Sequence, residues 1–203
     1  MRNELTDIAS LVKGSTALPG VLKQMGWPRL RDGQEDVVNT LMAGHDVVCI
    51  LPTGAGKSGG YIVPTLCMGW RTIIFSPLIS LMRDQVQGMQ RAGVRAACIN
   101  SGQPPAEQSA ALKAWVSGDL QILIVAPERV TNEAWVAALD LVPPDFVVMD
   151  EAHCLSEWGD NFRSSYKKVG DYCKRAQPKV IAAYSATMTK VVEAEVRDVL
   201  GIN

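Results

Sequence analysis

Six short runs of apolar, mostly β-branched residues punctuate the chain: DVVCIL (46–51), RTIIFS (71–76), VRAACI (94–99), LQILIVA (120–126), DFVVMD (145–150) and KVIAAYSA (179–186). Between them lie longer stretches with helical spacing, such as LISLMRDQVQGMQRAG and PPAEQSAALKAWVSG. Several of the runs are apolar at consecutive positions, so both faces of the strand need cover, as in a parallel sheet enclosed by helices. Strand–helix alternation at this spacing predicts βαβ units and an open α/β fold, a mostly parallel sheet with helices on both faces. The first 25 residues break the pattern and predict a helical preface (1–25), leaving 26–203 as the α/β domain. Ligands of open parallel sheets bind beyond the carboxyl ends of the strands, so the loops that follow these runs are the candidate sites.

Composition narrows the partners. The chain has 203 residues, 47% of them hydrophobic, and a formal net charge of -1. It can fill a core, and it carries no bulk positive field, so any nucleic-acid binding has to come from a local patch. The five cysteines (Cys49, Cys67, Cys98, Cys154 and Cys173) are scattered, with no C-x-x-C pair and no histidine at ligand spacing. That pattern reads as reduced intracellular thiols, not as a disulfide frame or a zinc site. The N-terminal MRNELTDIASLVKG lacks the apolar core of a signal peptide. No apolar run approaches the ~18 residues of a membrane span. An intracellular protein with no membrane partner is expected.

The first apolar run leads into LPTGAGKSGG (51–60). Gly54 and Gly56 allow the backbone to curl, so that the amides of the Thr53-Gly54-Ala55-Gly56-Lys57-Ser58 segment point inward at phosphate oxygens. Lys57 adds a point charge for the outer phosphates and Ser58 a hydroxyl for Mg²⁺. Leu51 stands where the strict G-x-x-x-x-G-K-[ST] pattern has glycine, but the nest is made by the later residues. The fifth run ends in Asp150 and Glu151. A carboxylate at Asp150 can hold Mg²⁺ opposite Ser58, while Glu151 orients or deprotonates the attacking water and His153 relays the nucleotide's state to other loops. ATP and Mg²⁺ are the expected ligands.

Together these motifs resemble a superfamily 2 helicase core, and the remaining segments resemble the RecQ-type DNA helicases. GWPRLRDGQEDVV resembles that family's motif 0, which implies adenine recognition by Trp27, Arg31 and Gln34, with Gln34 making two contacts to the base edge. A tryptophan alone at this place would pin the N-terminal helix to the sheet. SPLISLMRDQV (76–86) is similar to motif Ia and VAPERV (125–130) to the next DNA-facing motif. Arg83 and Gln85 are read as facing the DNA backbone, with a solvated helix face as the other reading. YSATMT (184–189) matches motif III through Ser185 and Thr187, which the resemblance assigns to coupling. DEAHCLSEWGDNFRSSY resembles motif II fused to the family's aromatic-rich loop, in which Trp158, Phe162 and Arg163 would sense single-stranded DNA. Aromatic faces stack on any base, at about 1–3 kcal/mol per base, without reading sequence. The loop departs from the family at Glu157, Asp160, Asn161 and Ser164, where Gln, His, Asp and Pro are common. The basic stretch YKKVGDYCKRAQPK (166–179) leaves two readings open, a phosphate contact or a solvated helix. Trp70, Trp115 and Trp135 are read as packing residues.

The resemblance implies a RecA-like P-loop fold and a 3′-to-5′ DNA helicase of repair or recombination, nuclear in a eukaryote and cytoplasmic in a bacterium. It also implies a second RecA-like lobe, normally in the same polypeptide, that supplies an arginine finger. The 203 residues are therefore expected to be the first lobe of a longer helicase, with weak ATP hydrolysis on their own. Two alternatives stand beside this: a superfamily 2 ATPase that acts on RNA or remodels without unwinding, and a non-enzymatic, ATP-gated DNA-binding module.

Overall fold

The structure is a computed structural model. It describes the backbone of residues 4–157 and 159–202, and their side chains apart from residues 4–9, 11, 156, 157 and 159–163. Six strands, β1 (Val47–Ile50), β2 (Thr72–Phe75), β3 (Ala96–Ile99), β4 (Ile122–Val125), β5 (Phe146–Met149) and β6 (Val180–Ser185), form one sheet in the order β1-β6-β5-β2-β4-β3. Every pairing is parallel. Each strand lies within one of the six apolar runs.

The two-residue period of a strand divides the runs between two cores. Ile122, Ile124, Phe146 and Val148 enter one core, together with residues of α1 (Glu4–Met25), α2 (Gln34–Met42), α3 (Lys57–Met68) and α4 (Ile79–Arg91). Leu123, Val125, Val147 and Met149 enter the other, beneath α5 (Pro105–Ser117), α6 (Glu133–Leu141), α8 (Gly159–Ala176) and α9 (Lys190–Leu200). The single-turn α7 (Cys154–Glu157) precedes α8. Connections heading toward the β3 edge run through α3 and α4, while those heading back run through α5, α6 and α8. This is the arrangement one crossover handedness demands. The loop after β1 therefore turns to one face and the loops after β5 and β6 to the other, which opens a crevice between them.

Helix α1 lies within the stretch read as a preface and shares the first core through Val21. Lys13 Nζ donates to the Met68 carbonyl at 3.1 Å and Gln24 Nε2 to the Ala92 carbonyl at 3.0 Å, tying α1 to the ends of α3 and α4. Trp70, Trp115 and Trp135 are all buried. Trp115 donates its indole N–H to the Val142 carbonyl at 3.0 Å, and the Arg71 guanidinium lies 4.3 Å from its ring centroid. The five cysteines are buried. Among the described residues no helix is long and apolar enough to cross a membrane.

Helices α8 and α9 touch where a glycine permits it. A methyl group on Gly170 would lie 2.8 Å from Val199 Cγ1 and against the Val199 carbonyl. Gly170→Ala is expected to push the two helices apart and to destabilise the fold by about 1–3 kcal/mol. Urea denaturation would measure this, and an unchanged midpoint would show that the contact yields freely.

Candidate functional site

The crevice is built from the loops after β1, β5 and β6. Beyond β1 the chain turns through Gly54 (φ 82°) and Gly56 (φ 84°), left-handed conformations that glycine adopts without strain. Gly56 caps α3 and brings no side chain to its first amides, so the positive end of the helix faces the crevice. Lys57 opens α3, and its Nζ lies 3.3 Å from Glu151 Oε1. A cavity of ≈ 230 Å³ is walled by Thr53, Gly54, Gly56, Lys57 and Ser58 on one side and by Asp150 and Glu151 on the other, with Gln85 of α4 between them.

Asp150 follows β5 and is 6% exposed. Its Oδ1 accepts the Glu151 amide at 3.0 Å. Burial pushes its carboxyl up to about 6, and neighbouring Glu151 adds to the rise, against the opposing pull of the Glu151 amide, Lys57 and His153. Glu151 has a left-handed backbone (φ 49°), which a side chain rarely adopts. From there a line of polar contacts crosses to β6. Glu151 Oε2 is 3.4 Å from His153 Nδ1, and that nitrogen is 2.9 Å from Ser185 Oγ. Ser185 Oγ donates to the Thr187 carbonyl at 2.5 Å and accepts the Thr187 amide at 3.3 Å. Lys57, Glu151, His153, Ser185 and Thr187, named from three separate stretches of sequence, thus form one connected set.

A cleft of ≈ 500 Å³ adjoins the phosphate loop, lined by Trp27, Arg31, Gln34, Gly56, Ser58 and Gly59. The two base-edge contacts expected of Gln34 are not what its amide makes here. Gln34 is 4% exposed; its Oε1 accepts the Arg31 amide at 2.6 Å and its Nε2 donates to the Gly56 carbonyl at 2.5 Å. Arg31 Nη1 likewise donates to the Gly54 carbonyl at 2.6 Å. The cause is steric as much as polar: a Cβ on Gly56 or on Gly59 would fall 2.6 or 2.7 Å from Gln34 Nε2. The second glycine of that Gly59-Gly60 pair, unremarkable in the motif, admits the Tyr184 hydroxyl in the same way. Two missing side chains directly after Lys57-Ser58 were the available signal for this close packing.

Other expected residues fall elsewhere. Arg83 is exposed and lies 3.9 Å from Glu107 of α5, whereas Gln85, two residues on, lines the phosphate cavity. Along α8, Lys167, Lys168, Lys174 and Arg175 are exposed while Tyr166, Tyr172 and Cys173 are buried. Arg175 there pairs with Asp140 at 3.2 Å. Trp158 lies outside the described residues, as do the side chains of Phe162 and Arg163.

A crevice of this build, with a glycine nest on a helix start facing a buried acid across a parallel sheet, defines the RecA-like P-loop nucleoside triphosphatases. Residues 31–194 match the DEAD/DEAH box helicase family, and the chain belongs to that family. It is 34% identical over 189 residues to the ATP-dependent DNA helicase RecQ of Haemophilus influenzae, covering 93% of this chain and 30% of that protein. It is 38% identical over 173 residues to the ATP-dependent DNA helicase RecQ of Bacillus subtilis, covering 84% of this chain and 29% of that one. The chain thus spans less than a third of the length of these curated relatives. Among solved structures, that of a hypothetical ATP-dependent RNA helicase from Sulfolobus tokodaii superposes with a TM-score of 0.74 at 21% identity, over 91% of this chain and 54% of that chain, and shares the fold.

Two outcomes follow from the geometry. With the Asp150 carboxyl at about 6 against an ordinary 3.8, the folded chain holds a proton through that window that the unfolded chain has released. Stability therefore falls as pH rises from about 4 to about 6. In metal-free buffer Asp150→Asn is expected to raise stability at pH 7 by roughly 2 kcal/mol and to change little at pH 4, as scanning calorimetry would register. Gln34→Ala is expected to weaken ATP, GTP and inorganic tripolyphosphate by one common factor, about fivefold for roughly 1 kcal/mol of lost hydrogen bonding. Calorimetric titration showing a loss confined to ATP would instead make Gln34 a reader of the base.

Proposed function

We propose that this chain is the ATP-binding motor lobe of a RecQ-like, ATP-dependent DNA helicase, an intracellular enzyme of repair or recombination that couples hydrolysis to 3′-to-5′ translocation and duplex unwinding. The carrying observation is the contact line from Lys57 through Glu151 and His153 to Ser185 and Thr187. It joins the phosphate loop to the strand end that carries motif III, so a change at the phosphates has a physical path to a distant loop.

In this reading the glycine nest and Lys57 hold the triphosphate, and Trp27 and Arg31 flank the base. Ser58 and Asp150 suit Mg²⁺, being oxygen donors of which the carboxylate is buried beside a second carboxylate. When bound there, Mg²⁺ neutralises charge on the phosphate oxygens. Glu151 lies between Lys57 and His153, with one carboxylate oxygen toward each. Triphosphate drawing Lys57 to itself frees Glu151 to orient and deprotonate the attacking water. Trp158, Phe162 and Arg163 are assigned the sensing of single-stranded DNA, on the motif resemblance and the RecQ-named relatives alone.

An arginine finger is worth about 10³–10⁵ in turnover in P-loop enzymes, and we assign it to a second RecA-like lobe. This chain alone is accordingly expected to bind ATP and to hydrolyse it hardly faster than Glu151→Gln. Measuring phosphate release with no nucleic acid, with single-stranded DNA and with single-stranded RNA checks this. Strong stimulation by DNA would remove the need for a second chain segment, and stimulation by RNA in preference to DNA would overturn the DNA assignment.

A further inference from the structure

Helix α4 borders the phosphate cavity, and the chemistry described above gives it no part there. Leu78, Leu81 and Gln85 line that cavity. Two positions turn a helix by about 200°, so Arg83 goes outward to Glu107 of α5 while Gln85 turns inward to the crevice. Gln85 also lines a neighbouring cavity of ≈ 320 Å³, together with Trp27, Ser58 and Ile62. Ser58 borders both cavities as well, so Gln85 and the end of the phosphate loop together form the partition between them.

Gln85 is out of keeping with the leucines beside it. Its Oε1 is sealed from solvent and has no hydrogen-bond partner among the described residues. An unpaired buried acceptor is destabilising, and a leucine like Leu81, one turn earlier, would fill the place without one. With the oxygen turned into the protein, the amide nitrogen is the polar end left for the cavity. It brings two N–H donors, and phosphate oxygens are acceptors. The opposite wall explains why the donor is neutral. Asp150 and Glu151 stand there, and a cation on α4 would be drawn to them as Lys57 is to Glu151, at 3.3 Å. A carboxamide has no net charge to be captured in this way and stays available to an incoming anion.

We propose that Gln85 is a specificity-determining residue for the triphosphate: its amide nitrogen donates to an oxygen of the terminal phosphate. This rests on the nucleotide reading given above. The glycine nest and the start of α3 take the inner phosphates, which leaves the terminal one in the cavity between Lys57 and Glu151, along the wall that Gln85 supplies. A diphosphate ends short of that wall. Helix α4 therefore grips the nucleotide before hydrolysis and releases it once the terminal phosphate has gone.

The test is calorimetric titration of the chain with the non-hydrolysable β,γ-imido analogue of ATP and, separately, with ADP. Gln85→Leu is expected to weaken the triphosphate analogue on the order of tenfold, as loss of a hydrogen bond to a charged group does, and to leave ADP unchanged. Its thermal midpoint should equal or exceed that of the original chain, because the unpaired oxygen is gone. Gln85→Glu keeps the shape but turns a carboxylate on the phosphate, and should lose more of the triphosphate affinity than Gln85→Leu. Gln87→Leu makes the same change at an exposed position of α4 and should move neither affinity. Gln85→Leu retaining the full triphosphate affinity, or losing one factor for both nucleotides, would overturn the assignment. So would Gln87→Leu reproducing the loss, since a disturbed helix and not the Gln85 amide would then be responsible. Lys57→Ala should weaken both nucleotides; binding as tight as that of the original chain would defeat the nucleotide reading itself, whatever Gln85→Leu shows.

Discussion

A parallel strand has to carry the chain across a face of its sheet before its neighbour can begin, and one handedness of crossing is strongly favoured. In this molecule that rule places the first connection on one face and the last ones on the other. β1 and β6 are adjacent, in the register Ile50 to Ser185, and β5 lies next in the register Met149 to Ala183. Their loops leave the same edge of the sheet in opposite directions, and the gap between them receives Lys57, Ser58, Asp150 and Glu151. The 3.3 Å approach of Lys57 to Glu151 and the 2.9 Å approach of His153 to Ser185 are consequences of this strand order.

A glycine-rich loop that cradles phosphate has no side chains with which to hold its own shape. The support comes from outside, through Arg31 and Gln34 bonding to the carbonyls of Gly54 and Gly56. Engaging those carbonyls steadies the turn without using its amides, of which that of Ala55 bonds to the Pro52 carbonyl at 3.1 Å. The same lack of side chains that lets the backbone approach a phosphate lets Gln34 approach the backbone. Motif 0 and the phosphate loop are in this sense one mechanical unit, although 22 residues separate Gln34 from Gly56.

The acid side of the crevice is less comfortable. Asp150 is nearly enclosed and has a second carboxylate beside it, and Glu151 occupies a left-handed backbone conformation. Local disfavour of this kind is tolerated where surrounding contacts over-determine the geometry. Here the Ala152 amide bonds to the Tyr184 carbonyl at 2.8 Å and the Cys154 amide to the Glu151 carbonyl at 3.0 Å, fixing the turn at both ends. A buried acid with a second carboxylate beside it is also suited to a dication, which links the strain to the chemistry proposed for it.

Much of this was legible in the order of residues. Apolar runs with no polar alternation demanded a sheet covered on both faces, and Thr53 to Ser58 announced a phosphate nest because glycine, lysine and serine have specific uses there. Asp150, His153, Ser185 and Thr187 were recognisable by motif. What the sequence could not express was partnership. It did not show that Gln34 grips the loop, that Gln85 and not Arg83 faces the phosphate cavity, or that Tyr61 and Tyr184 meet edge-on in the core. Helix and strand tendencies act over a few residues, and the amino-acid sequence by itself determined those elements and their chemistry. The contacts of the site join residues 22, 94 and 32 positions apart. Tertiary structure alone decided them, because such pairs meet only after the strands take their order and burial leaves each polar group to find a partner within reach.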